Sequence, residues 1–137
     1  MPRQKKILSK IRKKFEEAEA LPIKPIKEEK TLEKMQEIMP LFHSRLEKFR
    51  DRPNIGDVRY IGLIGALELV KDKKTREGFP AAERIGLKVY KEGLARNLIL
   101  RPLGNIIYLF LPLCVKKDEL EDILERFEQL WKKGILS

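Results

Sequence analysis

Cysteine, histidine and tryptophan each occur once in these 137 residues, and their scarcity removes much of the usual chemistry of enzymes. A single Cys114 excludes an intramolecular disulfide and points to a reducing, cytoplasmic compartment. It lies among Pro112, Leu113 and Val115 with only His43 available as a base, so a buried structural thiol is expected rather than a nucleophile. One histidine cannot build a histidine-rich metal site, and no HExxH, CxxC or EF-hand spacing occurs. No metal site is expected. The GxxxxGKS/T loop that cradles phosphates and the GxSxG nucleophile elbow are both missing. No apolar run approaches the roughly 20 residues that span a bilayer. The N-terminus has basic residues but neither a continuous apolar core nor a small-residue cleavage site, so no secretory signal is expected.

Charge, by contrast, is plentiful. Thirty Lys and Arg against twenty-one Asp and Glu give a formal net charge of +9. Residues 1–30 hold ten basic against five acidic side chains, and seven basic residues fall between Arg3 and Lys14 with no acid among them. This basic arm is one expected unit and residues 31–137 the other. Ile7, Leu8, Ile11, Phe15 and Ala18 recur at helical spacing within the arm. It could attract a polyanion, although zinc-finger spacing and an aromatic-studded basic sheet are absent, so nucleic acid is the less expected partner. The prolines of Leu21-Pro22-Ile23-Lys24-Pro25 should end the helix. The acidic pairs Glu16/Glu17, Glu28/Glu29 and Asp118/Glu119 lie in charge-rich sequence and are expected to be solvated faces.

A helix is predicted from Thr31, as its N-cap, to about Phe49, with Leu32, Met35, Ile38, Met39, Phe42, Leu46 and Phe49 on its apolar face and a bend at Pro40. Asp57 to Val70 reads as one long strand, with Gly62 and Gly65 marking a bulge or a close approach. Lys71 to Gly78 reads as a loop and Pro80 to Arg96 as a helix. A last helix is expected from Asp118, where Asp118 to Glu121 resembles a capping box, with Leu120, Leu124, Phe127, Leu130 and Trp131 inward.

Between these two helices lies the run Leu98 to Leu113, interrupted by one charge, Arg101. It ends a β-like segment, Leu98-Ile99-Leu100, before a turn at Pro102-Leu103-Gly104-Asn105, and Ile106 to Leu111 follows as a strand. A buried guanidinium needs an anionic partner, and its planar fork suits a carboxylate or a phosphate. Arg101 is thus an anion receptor at the lip of a sheet, a structural ion pair or a strand-end arginine in solvent. The predicted fold is α/β (α+β): a small three-stranded, mainly antiparallel sheet with helices on one face. Ile106 to Leu111 is apolar at consecutive positions, so the other face expects cover from another domain or subunit.

Several residue groups carry a resemblance. Ile55-Gly56-Asp57-Val58-Arg59, Gly62-Leu63, Glu68-Leu69-Val70, Arg84-Ile85-Gly86, Arg101-Pro102-Leu103-Gly104-Asn105, Ile107 and Pro112-Leu113 together resemble the C-terminal small domain of class III pyridoxal-phosphate aminotransferases. The likeness runs from about Thr31 to Trp131, and Tyr108, where many members carry arginine, is similar to the diaminopelargonate branch of biotin synthesis. Leu111-Pro112 departs from the family's usual Pro-Pro pair.

The resemblance implies that Arg101 grips the carboxylate of a keto acid like 8-amino-7-oxononanoate. It also implies that pyridoxal phosphate is held by a large domain, through a Schiff-base lysine, an aspartate at the pyridine nitrogen and a phosphate loop. The region that would carry that lysine is expected before Met1 or in the basic arm, and no lysine there has that context. This chain is therefore expected to be a truncated aminotransferase that binds no cofactor and does no transamination alone. Two alternatives are one part of a split enzyme, with a large-domain partner on the apolar face, and a module that binds nucleic acid or an anionic surface through the arm.

Overall fold

The computed structural model describes residues 8–14, 16, 17, 23–132 and 134–136. The chain forms two compact units, Met1–Lys34 and Met35–Ser137. In the first, residues 8–14, 16 and 17 are helical, and a short helix α1 (Ile23–Glu28) follows. Ile7, Phe15, Ala18, Leu21 and Pro22 lie outside the described residues. The expected proline break is instead partly helical. Pro25 stands in the first turn of α1, where its missing N–H would have had no partner in any case. Lys30, at φ 52°, redirects the chain, and its carbonyl accepts the Lys34 N–H at 3.0 Å. Thr31 is therefore the first helical residue of α2 (Thr31–Glu47) rather than its N-cap.

Helix α2 is continuous through Pro40, whose lost bond would have gone to Gln36, an exposed residue with access to water. A 3-10 turn, Lys48–Asp51, ends it. Five strands follow where three were predicted: β1 (Ile55–Ile61), β2 (Ile64–Asp72), β3 (Glu77–Gly78), β4 (Arg101–Leu103) and β5 (Ile106–Phe110). They are antiparallel in the order β1-β2-β5-β4, with β3 paired to the end of β2. The single long strand expected over Asp57–Val70 is a hairpin. Ile61 pairs with Ile64 across a Gly62-Leu63 loop, and Gly62 supplies the φ of 55° that the loop requires. The Gly104-Asn105 loop between β4 and β5 repeats the device, with Gly104 at φ 59°.

Leu98-Ile99-Leu100 belongs to no ladder, and Arg101 opens a strand instead of closing one. Pro102 is tolerated because β4 is an edge strand. A 3-10 turn, Ala81–Glu83, precedes helix α3 (Ile85–Leu94), which is shorter than expected at both ends. Its C-terminus is a Schellman motif. Asn97 at φ 58° lets Leu98 N–H reach the Gly93 carbonyl at 2.9 Å and Asn97 N–H reach that of Leu94 at 3.1 Å. Helix α4 (Lys117–Lys132) starts one residue before the expected Asp118.

One face of the sheet carries the core. Val58, Leu67, Ile107 and Leu109 point to the helices and are 5% exposed or less. Phe42, Leu46 and Phe49 meet them from α2 and its 3-10 turn, and Leu120, Leu124, Phe127, Leu130 and Trp131 from α4. Phe49, Phe127 and Trp131 form an edge-to-face trio with centroids 5.2 to 5.9 Å apart. Arg45 ties α2 to α4 through a 2.6 Å bond to Glu128, which holds its pKa above the ordinary arginine value. Among the described residues no helix is long and apolar enough to cross a membrane.

Candidate functional site: the open face of the sheet

Among the described residues of Met35–Ser137 no helix packs on the opposite face of the sheet, and the strand register orders its side chains into rows. Residues directly opposite across antiparallel strands share a face, so the pairings read straight across the sheet. One row runs Ile61, Ile64, Phe110. The next runs Arg59, Ala66, Tyr108, Arg101, and a third runs Asp57, Glu68, Ile106, Leu103. Ile61 is 77% exposed, Phe110 71% and Leu103 65%, beside Ile99 at 84% on the segment leading into β4. The expectation of a second apolar surface is met on this face.

Arg101 stands at one end of the middle row, opposite Tyr108. It is exposed, not buried as the apolar run suggested. Alternation explains this. Leu98 and Leu100 turn inward while Ile99, Arg101 and Leu103 turn to the open face, so the desolvation cost of a buried guanidinium never arises.

Arg59, at the other end of the row, differs. It lies 3.6 Å from both Asp57 and Glu68. Asp57 also accepts from Arg50 at 3.1 Å, and Arg50 pairs with Glu47. These bonds hold the Glu47 carboxyl below its usual range and the Arg50 guanidinium above its own, with the hydrogen bond between the two as the leading cause of each shift. Among the described residues Arg101 has no such carboxylate. The structural ion pair considered from the sequence belongs to Arg59. At about 4.8 Å per strand the two guanidinium-bearing strands stand roughly 14 Å apart, so Asp57 and Glu68 serve one and not the other.

The remaining candidates do not converge on Arg101. His43 bonds the Gly62 carbonyl through Nε2 at 2.7 Å and stacks on Tyr60 with centroids 4.4 Å apart. That position braces the first hairpin. Cys114 is exposed, not the buried thiol expected. No group of acidic, histidine or cysteine side chains among the described residues could hold a metal ion. Pyridoxal phosphate asks for a lysine desolvated enough to lose its proton, with an acid and a phosphate cradle nearby. Every lysine whose side chain is described is exposed. A surface hollow of about 430 Å³ has Lys88, Lys91, Glu92, Leu130 and Ile135 on its walls, with both lysines in solvent. The described residues do not fit that cofactor.

Sequence reasoning missed Asp57, Arg59 and Glu68 as one ion-pair network. Its signal is the period-two spacing Asp57, Arg59, Ile61, visible only once the hairpin is recognised.

The antiparallel sheet with helices packed on one face is a fold this chain shares with solved transaminases. The aminotransferase of Vibrio fluvialis in its PMP-bound form superimposes with a TM-score of 0.77 at 30% identity, over 81% of this chain and 25% of that one. The adenosylmethionine-8-amino-7-oxononanoate aminotransferase of Methanocaldococcus jannaschii gives 0.76 at 32% identity, over 81% of this chain and 25% of that one. Residues 18–131 match the family described as aminotransferase class-III, and the chain belongs to that family. Among curated relatives, the adenosylmethionine-8-amino-7-oxononanoate aminotransferase of Aquifex aeolicus is 41% identical over 98 residues, 72% of this chain and 22% of that protein. The chain spans about a fifth of the length of the curated relatives it matches.

Proposed function

We propose that residues 31–137 are the C-terminal small domain of a biotin-type class III aminotransferase, with Arg101 as the carboxylate receptor for a keto acid like 8-amino-7-oxononanoate. The observation that carries this reading is the contrast within one row: Arg59 is neutralised by Asp57 and Glu68, and Arg101 is not. A planar guanidinium at the edge of an open face can grip a carboxylate with two parallel bonds, short and charge-assisted. Tyr108 stands opposite it in the ladder.

These 137 residues alone do no transamination: every lysine whose side chain is described is exposed, without the desolvated setting a Schiff-base lysine needs. Activity belongs to a complex in which a large domain in the cytoplasm covers the apolar row of Ile61, Ile64 and Phe110 and supplies pyridoxal phosphate with its lysine. In this reading residues 31–137 supply one part of the site and the large domain the rest. The names of the relatives support the substrate class, and the open apolar face supports the need for a partner.

Two measurements test this. Titrating the chain with pyridoxal phosphate should give no stoichiometric, borohydride-trappable absorbance band; a 1:1 band overturns the inactive reading. Co-expressing the chain with the large domain of a relative such as that of Aquifex aeolicus should restore transamination of the keto acid. In that complex Arg101→Ala should lower kcat/KM about ten- to a hundredfold, the worth of one charge-assisted contact of about 1.5–3 kcal/mol. Unchanged kcat/KM removes Arg101 from the site.

A further inference from the structure

The basic arm, through its first 17 residues, is left unexplained by the transaminase reading, because the family match begins only at residue 18. Its helical residues present two exposed apolar side chains one turn apart, Leu8 at 65% and Ile11 at 46%. The sequence continues the spacing at Phe15. Lys10, Arg12, Lys13 and Lys14 are all exposed on the same stretch, and the Arg12–Glu16 pair at 3.1 Å lies in solvent. At about 100° per residue, Leu8 and Ile11 share one arc with Lys14 at one margin and Arg12 at the other. Apolar side chains kept in water beside a ring of cations describe a helix that lies in an interface. Among the described residues no helix is long and apolar enough to span a bilayer.

We infer that this arm is an interaction surface for anionic lipid bilayers, lying in the headgroup plane with Leu8 and Ile11 inserted and its basic residues on the acidic headgroups. A nucleic acid offers the same negative charge but nothing to cover Leu8 and Ile11, whereas a bilayer interface takes both. The proposal is independent of the transaminase reading, since it rests on residues outside the family match.

The test uses the full 137-residue chain in co-sedimentation with vesicles of phosphatidylcholine alone or mixed with phosphatidylglycerol. Binding to the mixed vesicles is expected, with neutral vesicles at least about tenfold weaker, because each basic residue near an anionic surface contributes about fivefold to partitioning. The Arg12→Glu/Lys14→Glu variant, which reverses the two cations at the margins of the inserted arc, should bind at least about 25-fold more weakly by the same count. Leu8→Ser/Ile11→Ser leaves the charge untouched and should still lose about tenfold or more, the cost of removing two inserting side chains. Thermal melting of Met35–Ser137, followed through Trp131, should be the same in all three proteins, which separates a lost surface from a lost fold. Equal binding to neutral and anionic vesicles, or none to either, overturns the proposal. So does binding to a single-stranded RNA oligonucleotide that survives Leu8→Ser/Ile11→Ser while vesicle binding is absent.

Discussion

Gly62 and Gly65 lie three positions apart in one apolar stretch, and the same residue type serves two different needs. Gly62 has open space where a Cβ would stand, and its φ of 55° is what a side chain would resist. Gly65 has an ordinary backbone, and a Cβ there would come within 2.3 Å of Leu46 Cδ1 and 3.2 Å of Phe42. The first is a conformational requirement and the second a steric one. Gly62→Ala should therefore cost about 1–2 kcal/mol of stability with no neighbour able to relieve it. Gly65→Ala should cost about 1–3 kcal/mol, and trimming Leu46 to Ala should return part of it, so that the two substitutions are less than additive in denaturant unfolding. Strict additivity would show that α2 does not approach β2 as closely as described. Sequence alone located both glycines and the idea of a close approach. It could not separate the two cases, because backbone torsion and the position of α2 are tertiary facts. Arg101 follows the same pattern. Its isolation among apolar residues was visible, but its exposure depended on the face to which alternation assigned it.

At the scale of elements, helices were legible and strand boundaries were not. The apolar spacing of α2 and α4 reports one buried face directly, and Phe42, Leu46, Phe49, Leu120, Leu124, Phe127 and Leu130 are where that spacing placed them. The hairpin at Gly62-Leu63 was hidden because its loop is not polar. Leu63 is 3% exposed, and its carbonyl accepts the Leu111 N–H at 3.1 Å, so the turn is packed into the core and reads as continuous strand. The start of α4 was misregistered for a different reason: two overlapping acidic patterns compete. Glu119, not Glu121, reaches back to accept the Lys116 N–H at 2.8 Å, which places the cap at Lys116. Glu119→Ala should consequently lower stability by about 0.5–1 kcal/mol, visible as a Tm drop of a few degrees, while Glu121→Ala should change little. The reverse ranking would restore the cap to Asp118.

For the whole molecule, the decisive asymmetry is between the two faces of one sheet. The inner face is closed by three helices, whereas the outer face holds Ile61, Leu103 and Phe110 in solvent beside a guanidinium with no acid of its own among the described residues. That a second face needed cover could be read from the consecutive apolar residues of Ile106 to Leu111. Which face it was could not, because that follows from pairing across four strands. Side chains so exposed contribute little to the fold, so Ile61→Ser/Phe110→Ser should leave unfolding free energy within about 0.5 kcal/mol of the parent. The same pair should abolish complementation with the co-expressed large domain, since an interface loses most of its affinity when central aromatic and aliphatic anchors are removed. The two readouts divide the alternatives. Stability lost along with complementation would mean that these residues belong to the core, and complementation retained at unchanged stability would mean that the partner docks elsewhere. Stability kept with complementation lost is the outcome that a surface built to be covered requires.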